Sequence, residues 1–173
     1  MSRYFPHEPY AEDQPLSGTI LTTHVLVRVI TTGTVIGGGI YGTQSLLRQI
    51  RRRPSPLIPR SQLLLRTTGI STLWTLGIVS AGLVARMWGR EDIEWKDRSW
   101  RLLENKGQVE CDDFTYAGML AGLGAAATKS VKRTGWVGLL GAVGLGSTAG
   151  MLGYMGWRYG VHGGQFPEDE ESS

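Results

Sequence analysis

His24 and Arg28 stand four residues apart in an otherwise apolar stretch, so a helix would place both on one face. An ionisable pair inside a membrane span is by default a candidate for transport. No carboxylate stands anywhere between residues 14 and 90 to neutralise Arg28. The guanidinium is therefore expected either to snorkel to the headgroup level or to pair with a carboxylate of a neighbouring subunit. That structural role outweighs transport and makes Arg28 a candidate partner contact.

Other chemistry finds little support. Gly37-Gly38-Gly39-Ile40-Tyr41-Gly42 fits the glycine pattern of a dinucleotide loop. It sits within an apolar span rather than after a strand, and no acidic residue follows at the ribose-binding distance. Helix packing explains these glycines better. The single cysteine, Cys111, excludes an intrachain disulfide framework and a CxxC metal site. No Ser/His/Asp arrangement, metal-ligand cluster or phosphate loop is visible. No catalytic, cofactor-binding or metal-binding residue is assigned, and the chain reads as a non-enzyme.

The elements that carry these residues follow from the charge pattern. The mean hydropathy of −0.11 suggests a soluble protein, but the acidic residues are confined to positions 8–13, 91–113 and 168–171. A soluble surface intersperses both signs. Four apolar segments lie between the polar ones, at about 19–47, 63–88, 114–128 and 135–157. Crossing the hydrocarbon core takes about 20 residues. The third segment is short, about 23 Å at 1.5 Å per residue, so it needs flanking residues or a thin bilayer. The expected fold is an all-α, four-transmembrane-helix glycine-rich bundle over residues 19–157, with a polar arm at 1–18 and an acidic tail at 158–173.

Orientation follows from the loops. The first connection carries Arg48, Arg51, Arg52, Arg53 and Arg60, with Arg66 just inside the next segment, and the third carries Lys129, Lys132 and Arg133. Neither holds an acid. Both belong on the positive-inside face, with the termini and the second connection opposite. Clustered arginines flanked by apolar segments read as membrane topology, so no nucleic acid partner is expected despite the net charge of +3. The same basic residues, Arg51, Arg52, Arg53, Arg60, Lys129, Lys132 and Arg133, form a candidate site for an anionic phospholipid such as cardiolipin. The second connection interleaves Ile93, Trp95, Trp100, Leu102 and Leu103 with charges, which predicts a short amphipathic helix offering Trp95 and Trp100 to a partner. Residues 1–16, with three prolines and three acids, match neither a secretory signal nor an arginine-rich presequence, so any mitochondrial targeting is expected to be internal.

Small residues recur every fourth position in all four segments. Gly33 and Gly37, then Gly38 and Gly42, mark the first, and Gly77 and Ala81 the second. Ala117, Ala121 and Ala125 line one row of the third, with Gly118, Gly122 and Ala126 in the next. Gly138, Ala142, Gly146 and Gly150 mark the fourth. Lipid supplies no hydrophobic force between helices, so such rows act by letting backbones approach. The threonines, among them Thr31, Thr34, Thr67 and Thr68, are expected to bond to their own backbone or a neighbouring helix.

Four short glycine-rich spans, small residues at this spacing and an arginine-rich first inside loop resemble the Tim17/Tim22/Tim23 superfamily. The likeness covers residues 19–157 and is architectural. It implies the mitochondrial inner membrane, with both termini in the intermembrane space. The superfamily includes protein translocase subunits and accessory subunits of respiratory complex I (NADH:ubiquinone oxidoreductase). Tyr4-Phe5-Pro6-His7-Glu8-Pro9-Tyr10, the tryptophan-rich second loop and the acidic tail resemble a fungal complex I accessory subunit more than a translocase. The expected function is non-catalytic stabilisation or assembly of that complex's membrane arm. A translocase subunit is the alternative, and carboxylates inside the spans would favour it.

Overall fold

A computed structural model describes residues 4–52, 54 and 57–166. Every regular element among them is helical: α1 Ser17–Ile50, α2 Arg60–Met87, α3 Asp92–Glu104, α4 Lys106–Gly124 and α5 Lys129–Met155, which runs on into a π-turn at Gly156–Val161. Local signals set the boundaries. Arg52 lies at φ 49° and Pro54 follows it, closing α1, and Pro59 caps α2. Gly89, at φ 68°, ends α2 in the left-handed conformation glycine adopts freely. The Asn105 side chain accepts from Gln108 N at 3.1 Å to start α4, and Thr128 caps α5. Gly135, at φ 65° and ψ −155°, breaks α5 in a region almost closed to other residues. The fourth apolar segment does begin there, but the basic stretch before it forms a helical turn rather than a loop.

Three helices are long and apolar enough to cross a membrane: Ser17–Ile50, Arg60–Met87 and Lys129–Val161. The third segment expected from the sequence, at 114–128, is displaced. Its helix starts at Lys106 and stops at Gly124, and the chain then tightens into a 3-10 turn at Ala125–Ala127. Glu110, Asp112 and Asp113 therefore belong to α4 and not to the second connection. Those carboxylates leave α4 too polar to rank with the other three.

Close backbone approach builds the bundle. Gly33 faces Thr72 and Gly37 faces Thr68, where an added Cβ would come within 2.6 Å of each threonine Cα. Gly69 lies on the Val137 carbonyl, and Gly141 on that of Leu65. Along the α4–α5 seam, Gly118 and Gly146 face each other's carbonyls, Gly122 meets Ala142, and Gly150 meets Phe114. The register is antiparallel in the α1–α2 and α4–α5 pairs. Gly144 abuts the Thr34 side chain. Buried hydroxyls return to their own helices, as Thr34 donates to Ile30 O at 2.8 Å, Thr68 to Leu64 O at 2.9 Å and Thr115 to Cys111 O at 2.6 Å. Thr34 also bonds to Thr72 at 3.2 Å, and Thr31 to Ser147.

Several rows do not pack as expected. Nothing lies within 4 Å of a Cβ placed at Gly38, Gly42 or Gly77, so these lanes face outward. Gly38 is one residue on from Gly37, about 100° around a helix of 3.6 residues per turn, and that rotation carries the second lane off the seam. Ala117 and Ala121 are exposed for the same reason. Gly138 is buried but meets only Thr134 of its own element, across the Gly135 break. Gly69, Gly141 and Gly144 complete the true seams.

The amphipathic helix in the second connection is α3. Its charges pair along the helix, Lys96 with Asp92 and Arg101 with Asp97, each at 3.0 Å. Its apolar side buries Leu103 against Ile20, beside Phe5, Leu102 and Tyr116. The two tryptophans, both half-buried, have neighbours within the chain. The Trp100 indole N–H donates to Glu8 O at 2.8 Å, its ring stacks near His7, and Trp95 lies over Gly18. The N-terminal arm, folded back on α3, holds Trp100, and Trp95 lies on the first turn of α1. Gln14, fully buried, holds the arm's turn by donating to Pro6 O at 2.8 Å.

One end of the bundle thus gathers the arm, α3, the start of α4 and the turn after α5, where Trp157 packs on Phe114. At the other end Ser61 bonds to Ser130 at 3.0 Å, joining the starts of α2 and α5.

Candidate functional site

Asp112 is the centre of a charged cluster that links α1 to α4. Its side chain is 1% exposed, although it lies only seven residues into α4. Two residues of α1 reach it. Arg28 Nη2 is 2.7 Å from Asp112 Oδ1, and His24 Nδ1 is 2.8 Å from Oδ2. Their spacing of four residues brings both to the same face, as the sequence implied. Arg28 also donates through Nη2 to Gln108 Oε1 at 3.0 Å and through Nη1 to Cys111 Sγ at 3.2 Å. One guanidinium therefore holds three consecutive contacts along the first two turns of α4.

This corrects the expectation for Arg28. Its counter-charge comes from its own chain, from a residue 84 positions later, not from a neighbouring subunit. The error came from placing Asp112 in a solvated connection. It also removes the premise that the spans hold no carboxylate. Asp112, however, is almost fully buried among its partners.

Chemically the cluster is a clamp. Arg28 presents a planar fork of donors; Asp112 Oδ2 is hydrogen-bonded to His24, while Oδ1 meets the guanidinium as an ion pair. A buried ion pair gains little net stability over apolar packing, but removing one partner strands the other charge. Cys111 accepts from Arg28 and is buried, so no activated nucleophile faces solvent. Among the described residues no group of His, Cys, Asp and Glu could hold a metal ion. A second ion pair, Glu110 with Arg158 at 3.7 Å, ties α4 to the turn after α5, and the Arg158 guanidinium lies 3.4 Å from the centre of the Phe166 ring.

Two grooves open on the sides of the bundle. The first, of about 620 Å³, is lined by Phe5, Tyr116, Met119, Leu120, Leu123 and Val143 with Tyr4 and Thr23. The second, of about 600 Å³, runs between α2 and α5 and carries Arg66 and Arg133 on its walls. Neither lining includes His24, Arg28 or Asp112. The remaining candidate lipid residues scatter: Arg51, Arg52, Arg60, Lys129 and Lys132 are exposed, and Arg51 borders a shallow hollow with Arg48, Gln44 and Leu47. Arg53 and the acidic 168–171 stretch lie outside the described residues. Asp112 and Arg66 are the residues that reading the sequence missed. The signal for Arg66 was present, since an arginine six residues into an apolar span must find an anion or reach the headgroups. No family model, curated protein or solved structure matches the chain.

Proposed function

We propose that the chain is a non-catalytic accessory subunit of the mitochondrial inner membrane, with α4 as the fourth crossing of a Tim17-like bundle, and that it stabilises or assembles the membrane arm of respiratory complex I. The observation that carries this reading is where the bundle directs its charge. His24, Arg28 and Asp112 neutralise one another in a helix contact and face neither groove. Between the basic end and the charged α3, much of the outward surface of α1 and α2 is apolar or small. Val35, Ile36 and Ile40 are exposed beside Gly38 and Gly42, and Trp74 is 71% exposed in the middle of α2. Such a surface suits neighbouring helices and lipid better than a soluble substrate.

The basic end, with Arg48, Arg51, Arg52, Arg60, Lys129, Lys132 and Arg133, belongs in the matrix. The arm, α3 and the C-terminus then face the intermembrane space. Protease added to mitoplasts should remove both termini and spare the loop at 51–59. Removal of one terminus only would overturn this topology.

A translocase subunit of the Tim17/Tim22/Tim23 type would need a polar lateral groove for a passing polypeptide. The groove beside α4 is lined mostly by Phe5, Met119, Leu120, Leu123 and Val143, with Tyr4, Thr23 and Tyr116, and the groove that is polar carries arginines and no carboxylate. Deletion of the protein should lower assembled complex I and NADH:ubiquinone activity together, while import of carrier and presequence proteins continues. Import failing first, with complex I declining later, would overturn the assignment and support the translocase.

A further inference from the structure

We infer that the groove between α2 and α5 is a binding site for one anionic phospholipid, held by Arg66 and Arg133. Of the basic residues that the sequence pattern offered to lipid, Arg133 lines this groove, where Arg66 joins it. Arg66 comes from the second turn of α2 and Arg133 from the turn just before the Gly135 break. That break lets the short basic turn of α5 take a direction of its own, apart from the long apolar part of the helix. The two guanidiniums thus share one groove of about 600 Å³ with Gln62, Thr67 and Thr134. Among the described residues neither arginine has a carboxylate partner in ion-pair reach.

The occupant follows from the lining. Two unpaired guanidiniums with a neighbouring amide and hydroxyls match a phosphodiester, which accepts charge-assisted hydrogen bonds from a planar fork. Ile58, Leu63, Ile70 and Val137 make the rest of the wall apolar, and Ile70 is 42% exposed on the outer surface of α2. An ion pair with a free phosphate would leave that apolar wall unused, whereas acyl chains continue along it into the bilayer. Arg60, Lys129 and Lys132 at the same end of the bundle raise the local positive potential further. Arg66, in the second turn of α2, lies where an arginine side chain reaches the headgroup level of a bilayer. The inference rests on the helices lying in a bilayer and is independent of which larger complex they join.

Full-length protein purified in mild detergent allows the test. Native mass spectrometry and thermal unfolding would be recorded with cardiolipin, with phosphatidylcholine and with inorganic phosphate. Cardiolipin should be retained and should raise Tm, while phosphatidylcholine and inorganic phosphate should do neither. The double variant Arg66→Gln with Arg133→Gln should lose cardiolipin occupancy by about tenfold or more, as expected on removing two charge-assisted phosphate contacts. Its Tm without added lipid should match the wild type, which separates loss of lipid from loss of fold. Arg51→Gln with Arg52→Gln should keep its cardiolipin. Equal retention by both double variants, a response to inorganic phosphate as large as that to cardiolipin, or loss confined to the Arg51/Arg52 pair would each overturn the site. Each of these outcomes leaves the complex I assignment to its own deletion experiment.

Discussion

Gly146→Leu should abolish recovery of folded protein from membranes, whereas Gly38→Leu should leave it near the wild-type level. The two positions belong to similar rows of small residues but meet different surroundings. A Cβ at Gly146 would overlap the Gly118 carbonyl and come within 3.0 Å of Gly122 N. Both neighbours are backbone, which cannot rotate away as a side chain can. Overfilling an interior that can shift costs about 1–3 kcal/mol; here the α4–α5 seam must open along its length. A loss of about 1.4 kcal/mol already changes an equilibrium tenfold, so a fall in folded yield beyond tenfold is expected. Gly122→Leu should behave likewise, since its Cβ would strike the Ala142 carbonyl. Monodisperse protein after extraction in mild detergent, measured by gel filtration, provides the check. Normal yields for both Gly146→Leu and Gly122→Leu would mean that α4 and α5 do not meet as described.

Asp112→Ala should destabilise the bundle by about 3 kcal/mol, the lower end of the cost of stranding a buried charge. The lower end applies because the Arg28 and His24 side chains remain 25% and 15% exposed. The alanine leaves the guanidinium with only Gln108 and the Cys111 sulfur, and leaves the imidazole with no carboxylate. Asp112→Asn should cost less, since the amide oxygen still accepts one hydrogen bond. Replacing Arg28 by Met, His24 by Leu and Asp112 by Leu together should recover much of the loss, because an apolar cluster avoids the desolvation penalty altogether. Thermal unfolding in detergent reads all three. A wild-type midpoint for Asp112→Ala would show that the carboxylate is not the clamp.

The helical character of the chain was legible in its hydrophobic segments, and so were the Gly33/Gly37, Gly118/Gly122 and Gly146/Gly150 rows. Which rows face inward was not. Gly37 and Gly38 are adjacent in sequence and share the same periodicity; only the position of α2 decides between them. Asp112 was illegible for a related reason. Glu110, Asp112 and Asp113 within four residues read locally as a solvated connection, and the Asn105 cap that begins a helix before them is a weaker signal than three carboxylates. The compensating cations lie in α1, at a distance no local pattern spans. The contact of Trp100 with Glu8 was illegible in the same way, since it depends on how the N-terminal arm folds back on α3.

The distance along the chain between Arg28 and Asp112 also bears on how the protein enters its membrane. A growing or importing chain presents α1 long before α4, and during that interval Arg28 and His24 have no counter-charge. A lone arginine near a bilayer centre costs about 2.5–3.5 kcal/mol on insertion scales, so α1 alone is a poorer membrane segment than its apolar length suggests. If α1 crosses a bilayer, its charge is neutralised only once α4 packs against it, and the buried carboxylate of α4 depends on α1 in the same way. For these two helices, insertion and folding are a single event.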